Sequence, residues 1–388
     1  MIVVMVVDGW DQPFNGTVVS SRRFAEALLA RGIQVRVLAI NGQTREVPGV
    51  ELFEMRKLSV PGVNSIMDLM RVPVAVPDRA LIKRALAGAS VLHVQFPLFL
   101  GAAAIKEAKD MGVPVLSSFH LQPENILRNL KLPNFFFRRW IYRLMGRWVF
   151  QRSDRIIAPS PFARELLLRE MPVGVDVTVL SNGIPEKQLA AFKLRTRMPD
   201  DINVLCVGRL AREKRYDLVI HALATSRAVD RFRVTFVGTG PMRVALQKRC
   251  QILGLNSIFV TPTDAELAEL YAGADLFLHA GESELEGMSV MQAMAAGVPV
   301  VVSDSADSAA STLLTHQMAR FRYPDARHFA NQIDRLCGPG GPVEVLSAAG
   351  HSAAKSLRFD DSVSQLVQIY RDMVFVEDKS KESDRALA

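Results

Sequence analysis

Cysteine is scarce in this chain, and long apolar runs are missing from it. The three cysteines among 388 residues, Cys206, Cys250 and Cys337, are widely spaced and odd in number, which favours reduced thiols over a disulfide framework. No stretch approaches the ~20 apolar residues of a membrane-spanning helix, and the first residues lack the pattern of a secretion signal. We therefore expect a cytoplasmic chain that could still rest on a membrane surface.

Common cofactor and metal motifs are also missing. Neither the dinucleotide fingerprint GxGxxG nor the phosphate loop GxxxxGK[ST] occurs, so binding of NAD or of ATP at such a loop lacks its signature. Asp304 and Asp307 stand too far apart for the DxD motif of metal-dependent sugar transfer. We expect neither a metal nor a resident cofactor.

The charge balance is basic, with a formal net charge of +7. A basic excess favours anionic partners such as nucleic acid, phosphorylated small molecules or acidic lipid. The sequence contains nothing that resembles a groove-reading or base-stacking module, so we expect no nucleic-acid partner.

The pattern of apolar residues predicts the fold class. Runs of Val, Ile and Leu, such as IVVMVV and VPVVVSD, alternate with amphipathic runs along most of the chain. Continuous apolar strands that alternate with helices indicate parallel sheets covered on both faces. The pattern occurs twice, on either side of a polar stretch at residues 185–201. The sequence therefore predicts an α/β chain of two doubly wound domains.

Loops that follow predicted strands could hold a phosphate group. Arg209 and Lys214 lie between a strand and a helix, where two cations and the helix N-terminus would attract a diphosphate. Gly238 and Gly16 lie at similar strand-to-helix junctions. Glycines and basic residues end strands in any α/β protein, so these loops alone leave a purely structural role open.

Three segments together resemble one enzyme family. They are VVMVVDGWDQPFNGTVVSSRRFAEALLARGIQVRVL, VGRLAREKRYDLVIHAL and ELYAGADLFLHAGESELEGMSVMQAMAAGVPVVVSD. The chain resembles the retaining glycosyltransferases of family 4, which have the GT-B architecture of two Rossmann-like domains facing across a cleft. The resemblance implies an acceptor-binding domain at residues 1–184, a donor-binding domain at 185–358, and a C-terminal helix at about 359–375 that packs back on the first domain. Residues 376–388 are charged, and we expect them to be disordered.

The same resemblance implies the site residues. The family has an E-x7-E motif, and here Glu284 holds the first position, with Gly287 inside the motif, while Gln292 holds the second. A glutamine oxygen can still accept a hydrogen bond from a nucleotide ribose, but without the assistance of charge. The remaining residues that the resemblance assigns to the donor or the sugar are Gly16, His120, Arg209, Lys214, Gly238, Met288 and Ser289. A lone His that ends a strand is otherwise more often structural, and Glu282 and Glu286 fit a plainer role near a helix N-terminus.

The implied chemistry is the release of a diphosphate from a hexose. Arg209 and Lys214 would stabilise the negative charge that develops on the leaving group. Two cations in this role would make a metal unnecessary. Same-face attack would retain the anomeric configuration, and the sequence offers no well-placed carboxylate for a double displacement.

One segment is both basic and aromatic. NFFFRRWIYRLMGRWVFQR, at residues 134–152, contains five arginines and no acid. The arrangement is typical of an amphipathic helix in a membrane interface, and the alternative is a helix packed on the first sheet with solvated arginines. The residues that we predict to contact an anionic membrane are Arg138, Arg139, Trp140, Arg143, Arg147 and Trp148.

These features predict a transferase at the inner face of the membrane. It would move a hexose from UDP-glucose or UDP-galactose to a hydroxyl of a lipid or glycolipid such as diacylglycerol, because HLQPENI and ESELEGM resemble the family members with such acceptors. One alternative is a soluble family member that acts on a saccharide or small metabolite. Another, suggested by Gln292, is a non-catalytic nucleotide-sugar-binding protein.

Overall fold

The computed structural model describes residues 1–10, 16–40, 47–58, 74–129, 135–171, 173–314 and 316–387. The chain divides into two compact units, of which the first comprises Met1–Ser181 with Asp361–Ala388 and the second comprises Asn182–Asp360. The domain boundary that we predicted, after residue 184, differs from this division by three residues. Each unit contains its own sheet.

The first unit is built on a mostly parallel sheet. In space its strands follow the order β4-β3-β2-β1-β5-β6-β7-β8, and only β3 and β4 pair antiparallel. The strands are β1 (Ile2–Gly9), β2 (Gln34–Ile40), β3 (Glu51–Lys57), β4 (Ala75–Val76), β5 (Val91–Val94), β6 (Val115–Ser118), β7 (Arg155–Ala158) and β8 (Val177–Val179). The helices are α1 (Gly16–Ala30), α2 (Arg79–Leu86), α3 (Phe99–Asp110), α4 (Pro123–Asn129), α5 (Phe135–Trp148) and α6 (Pro161–Glu170).

The second unit repeats this plan with a parallel sheet in the order β11-β10-β9-β12-β14-β16 and a small β13-β15 pair. The strands are β9 (Ile202–Val207), β10 (Phe232–Val237), β11 (Ser257–Val260), β12 (Leu276–His279), β13 (Ser283–Glu284), β14 (Val300–Ser303), β15 (Asp307–Ser308) and β16 (Arg320–Phe321). The helices are α7 (Glu186–Ala190), α8 (Tyr216–Thr225), α9 (Arg243–Ile252), α10 (Asp264–Gly273), α11 (Met288–Ala295), α12 (Ala326–Cys337) and α13 (Val343–Ala354), and α14 (Phe359–Leu387) follows them.

The apolar runs form strands because both faces of each sheet are covered. Val3, Val4, Met5, Val6 and Val7 of β1 are all fully buried, which a strand covered on only one face would not allow. The predicted fold class, two Rossmann-like domains with parallel sheets, is confirmed.

The strand order places one switch point in each sheet. In the second unit the chain moves outward from β9 through β10 to β11 and then returns to β12 on the other side of β9. In the first unit the same reversal occurs between β1 and β5. Ligands of open α/β sheets bind outside the carboxyl ends of strands at such points. The loops after β9 and β12 are therefore the place to look for a site.

The C-terminal helix is longer than we predicted. α14 runs from Phe359 to Leu387 and so includes most of the segment 376–388 for which we expected disorder. That segment contains neither Gly nor Pro, the two residues that most disfavour a helix interior.

α14 belongs to the first unit through buried contacts. The Tyr370 hydroxyl lies 2.6 Å from Nδ1 of His93 on β5, and Nε2 of that ring lies 2.7 Å from the Ser118 hydroxyl on β6. All three residues are at most 1% exposed. Burial, with a smaller contribution from nearby His120, lowers the pKa of His93 to about 3, so the ring is neutral.

We predict that Tyr370→Phe destabilises the first unit by about 1–3 kcal/mol, because buried Nδ1 of His93 loses its 2.6 Å hydrogen bond and is left with the 3.3 Å contact to Gln95 Nε2. The midpoint of thermal unfolding checks this. Gln368→Ala is the matched control, since Gln368 is exposed on the same helix and bonds to Asp372, one turn further along. Equal midpoints for the two variants would contradict the prediction.

Candidate active site

The loop after β9 carries the two predicted cations. Gly208 and Arg209 follow the strand, and a 3₁₀ turn at Arg212–Lys214 leads to α8. Arg209 Nε donates to Glu213 Oε1 at 3.0 Å, and Glu213 is 2% exposed. A buried carboxylate therefore fixes the guanidinium beside the strand end.

The loop after β12 meets this cation pair. The Lys214 ammonium donates to Oε1 of Glu284, and Nε2 of His279 lies 3.0 Å from the same oxygen. His279 is the last residue of β12, and Glu284 lies on β13, so two neighbouring strand ends position the three side chains. The structure thus brings together three of the donor residues that we predicted, Arg209, Lys214 and Glu284.

The electrostatics of Glu284 follow from this contact. Burial alone raises the pKa of the carboxyl, but the Lys214 ammonium and the His279 hydrogen bond outweigh burial and lower the pKa to about 2. Glu284 is therefore ionised at neutral pH. Arg209 and Lys214 each have a carboxylate partner, so a bound diphosphate would compete with Glu213 and Glu284 for them.

Gly238 allows the loops after β9 and β10 to touch. Its φ is +133°, and a Cβ built there would lie 2.2 Å from the Gly208 carbonyl oxygen. The amide of Gly208 donates to the Val237 carbonyl, and the amide of Leu210 donates to the Thr239 carbonyl. Only glycine fits between these backbones.

Gly287 opens the buried helix α11. It takes a left-handed conformation with φ +86° at the helix N-cap, directly before Met288 and Ser289. The first amides of a helix have no intrahelical acceptors, so this N-terminus is a favourable place for an anion.

Gln292 contacts a tyrosine of the preceding helix. The Tyr271 hydroxyl lies 3.1 Å from Gln292 Oε1 and 3.2 Å from the Ser289 carbonyl. Tyr271 is 3% exposed, while Gln292 is only partly buried. Tyr271 on α10 thus orients the side-chain amide of Gln292. The amide nitrogen is a second polar atom that could contact a ligand.

Glu282 and Glu286 differ from each other in their surroundings. The Glu286 carboxylate is 6% exposed and accepts from the Asn182 amide at 2.8 Å. This contact anchors the segment SNGI. The role that we predicted for Glu286, as an anion near a helix N-terminus, does not include such a contact. Glu282 is half-buried, and its amide donates to the Glu213 carbonyl at 2.8 Å.

The remaining predicted site residues lie in the first unit. His120 is half-buried just beyond β6, and burial lowers its pKa to about 4, so the ring is neutral at pH 7. Gly16 is the first residue of α1, whereas residues 11–15 of the predicted glycine loop lie outside the described residues.

Sequence reasoning missed three residues of the second unit, Glu213, Tyr271 and His279. A usable signal existed for His279, because a polar side chain that ends an apolar strand points at the ligand edge of a parallel sheet. Glu213 lies in the charged run REKR, where nothing distinguishes a buried carboxylate from a solvated one.

The basic aromatic segment forms helix α5 with two different faces. Tyr142, Met145 and Val149 are buried against the first unit, and the Tyr142 hydroxyl donates to Glu124 at 2.8 Å. The opposite face exposes three aromatic side chains, with exposed fractions of 78% for Phe136, 49% for Phe137 and 59% for Trp140. Arg139, Arg143 and Arg147 are also exposed. We call these six exposed residues the aromatic–arginine face.

Two residues of the predicted membrane set do not belong to this face. Arg138 donates to Glu124 at 2.6 Å and also contacts Glu170, so its charge is neutralised inside the first unit. The Trp148 ring packs on Phe99, with 5.8 Å between ring centroids. Helical spacing alone could not separate these residues, because their partners come from α3, α4 and α6. Within the described residues, no helix has the length and apolar character to cross a membrane.

We predict that Gly238→Ala costs about 2–4 kcal/mol, because the substitution combines an unfavourable φ with an overlap against the Gly208 carbonyl. Gly254→Ala is the matched control: Gly254 also has a positive φ, of +66°, but a Cβ there meets nothing within 4 Å. Thermal or urea unfolding of both variants measures the difference. A loss no larger than that of Gly254→Ala would show that the two loops do not need this close approach.

Two protein-family models match this chain. "Glycosyltransferase Family 4" matches residues 14–188, and "Glycosyl transferases group 1" matches residues 191–338. Among solved structures, sucrose-phosphate synthase from Thermosynechococcus elongatus has a TM-score of 0.76 at 18% identity and covers 97% of this chain and 100% of its own, a likeness that shows the fold.

Two curated relatives extend this likeness in sequence. The GDP-mannose-dependent alpha-mannosyltransferase of Mycolicibacterium smegmatis is 29% identical over 79% of this chain and 80% of its own. The alpha-monoglucosyldiacylglycerol synthase of Streptococcus pneumoniae is 27% identical over 54% of this chain and 51% of its own. The chain therefore belongs to the GT-B glycosyltransferases of family 4.

Proposed function

We propose that this glycosyltransferase moves a hexose from a nucleoside-diphosphate hexose to a hydroxyl group of a membrane lipid or glycolipid. The observation that carries the donor half is the meeting of Arg209, Lys214 and Glu284 at the switch point of the second sheet. Two fixed cations suit a diphosphate, and an ionised carboxylate beside them suits the hydroxyls of a sugar.

The donor would bind by exchanging partners with the ion pairs. In the proposed complex Lys214 and Arg209 contact the diphosphate, the N-terminus of α11 adds its partial charge, and Glu284 accepts from the hexose. Gln292 would contact the ribose. Gly238 and Gly16 would let backbone approach the phosphates closely, and His120 would approach the sugar as a neutral ring.

The chemical step would be a same-face substitution that retains the anomeric configuration. The bond between the anomeric carbon and the diphosphate oxygen breaks, and the acceptor oxygen forms the new bond. The leaving phosphate oxygen takes the proton of the acceptor. We propose that the two cations alone stabilise the diphosphate as its charge develops, without a metal.

Two donor classes are candidates. The sequence resemblance suggested UDP-glucose or UDP-galactose, and the pneumococcal relative is named as a glucosyl lipid synthase. The mycobacterial relative, which matches more of the chain, is named for GDP-mannose. This longer match makes GDP-mannose the second candidate donor.

The aromatic–arginine face supports a lipid acceptor. Burying Phe136, Phe137 and Trp140 in a membrane interface would contribute about 1.5–3 kcal/mol for each side chain at full burial. Arg139, Arg143 and Arg147 would each add about 1 kcal/mol near an anionic surface. We propose that this face rests on the inner, cytoplasmic leaflet, which would bring the first unit to its acceptor.

We predict that one of UDP-glucose, UDP-galactose and GDP-mannose raises the unfolding temperature and supports transfer to a lipid acceptor. A ligand at 100 times its Kd stabilises the folded state by about 2.7 kcal/mol. Arg209→Gln and Lys214→Gln should each lower kcat/KM by about 10²–10³-fold, because each removes a cation from the leaving group. Lys248→Gln, an exposed lysine on α9, is the control.

Unchanged turnover in both site variants would contradict the proposed donor site. Binding of a donor with no transfer by either the wild type or Gln292→Glu, across all donors and acceptors, would instead support a non-catalytic nucleotide-sugar-binding protein. Transfer to soluble saccharides alone would contradict the lipid acceptor.

We predict that Arg139→Gln, Arg143→Gln and Arg147→Gln together weaken binding to anionic vesicles by about 3 kcal/mol, on the order of 10²-fold. Phe136→Ser with Trp140→Ser should weaken binding without changing charge. Flotation with phosphatidylglycerol vesicles measures both. Val244→Ser with Ile252→Ser is the control, because these apolar side chains are 76% and 72% exposed on α9. Equal flotation of all variants would eliminate the membrane contact.

A further inference from the structure

We propose that His279 is a positioning residue that holds the Glu284 carboxylate in place while Lys214 binds the donor diphosphate. This inference rests on the proposed function, because it assumes that Glu284 contacts the hexose. It concerns a side chain that no sequence motif singled out.

His279 and Lys214 bind the same oxygen of Glu284. Nε2 of His279 lies 3.0 Å from Oε1, and the Lys214 ammonium donates to that atom as well. His279 is fixed at the end of a buried strand, whereas Lys214 has a long, flexible side chain and lies on a 3₁₀ turn. Of the two partners, only the lysine can leave without moving a strand.

The surroundings of the ring determine which nitrogen carries the proton. His279 is 4% exposed, and its Nδ1 has no hydrogen-bond partner in the described part of the chain. A carboxylate oxygen requires a donor at Nε2, and an unpaired N–H at buried Nδ1 would cost more than an unpaired lone pair. Nε2 therefore carries the proton that is directed at Glu284.

Gly281 makes room for this contact. A Cβ built there would lie 2.5 Å from Cε1 and 2.9 Å from Nε2 of His279, and 3.2 Å from Oε1 of Glu284. Its φ is not positive, so the backbone itself does not require glycine. The loop is also tied down, since the Ser303 hydroxyl donates to the Gly281 carbonyl at 2.6 Å. Glycine at this position thus preserves the His279–Glu284 pair.

Donor binding would leave Glu284 dependent on His279. If Lys214 moves to the diphosphate, the buried carboxylate loses its ammonium partner and keeps the imidazole N–H. The other ionisable groups around this pair are Glu213 on the turn of Lys214, with its partner Arg209, and the buried phenol of Tyr216, whose pKa burial raises. In the described part of the chain, none of these groups donates a hydrogen bond to Glu284.

The test compares His279→Gln, which keeps an N–H donor at similar reach, with His279→Leu, which removes the donor. We expect His279→Leu to lower kcat on the order of 10²-fold, as for a misplaced reacting group, with a smaller change in the KM of the donor. His279→Gln should recover most of the loss. The acidic limb of the kcat profile should also move to higher pH in His279→Leu, because Glu284 loses a donor to its ionised form.

A second measurement does not depend on turnover. The pKa of Glu284 is lowered to about 2 from 4.5, so its ionisation stabilises the folded state above pH 4.5 and this stabilisation is lost as pH falls toward 2. In His279→Leu the folded-state pKa of Glu284 is higher, so this variant loses less stability as the pH falls. The gap in unfolding temperature between His279→Gln and His279→Leu, which both lack the imidazole, should therefore narrow between about pH 6 and pH 3.5.

The outcomes separate the two proposals. Absence of transfer by the wild type would overturn the proposed function. The pH dependence of the gap in unfolding temperature would still test the His279–Glu284 contact. Equal kcat losses in both variants, with an unmoved acidic limb and a constant gap in unfolding temperature, would overturn the positioning role and leave His279 as a packing residue.

Discussion

The ion pair between Lys214 and Glu284 is the interaction on which the rest of the second unit's site depends. It joins the loop after β9 to the loop after β12. Both side chains are largely buried, with exposed fractions of 18% for Lys214 and 16% for Glu284. Burying charges is costly unless each has a close partner. Arg209 with Glu213 forms a second such pair on the same turn. A diphosphate at this site therefore competes with Glu213 and Glu284 for the two cations.

The parallel sheets explain why these loops meet. Strand order reverses between β9 and β12, so the chain leaves the two strands in opposite directions and opens a gap at their carboxyl ends. On the other side of β9, the loop after β10 approaches closely, since Gly238 lies against Gly208 where any side chain would overlap. The first unit has the same reversal between β1 and β5, with the neutral rings of His93 and His120 nearby. One architectural rule thus places polar groups at corresponding edges of both sheets.

Sequence reasoning succeeded where one physical signal dominated. Continuous Val and Ile runs predicted the central strands, since only strands covered on both faces have this pattern. Strand β3, ELFEMRK, was missed because it buries only Phe53 and Met55 and exposes its charged residues. Arg138 was placed on the membrane face because its partners, Glu124 and Glu170, come from other helices. Long-range partners of this kind leave no trace in local spacing. His279, by contrast, did leave a signal as a polar residue that ends an apolar strand, and the prediction did not use it.

The most direct test of the account is a crystal structure of the chain with a bound nucleoside diphosphate. The account predicts that Lys214 Nζ leaves Glu284 and contacts a phosphate oxygen within about 3 Å, a normal hydrogen-bond distance, while His279 Nε2 stays on Glu284. A complex in which Lys214 still contacts Glu284 and the phosphates bind elsewhere would contradict it.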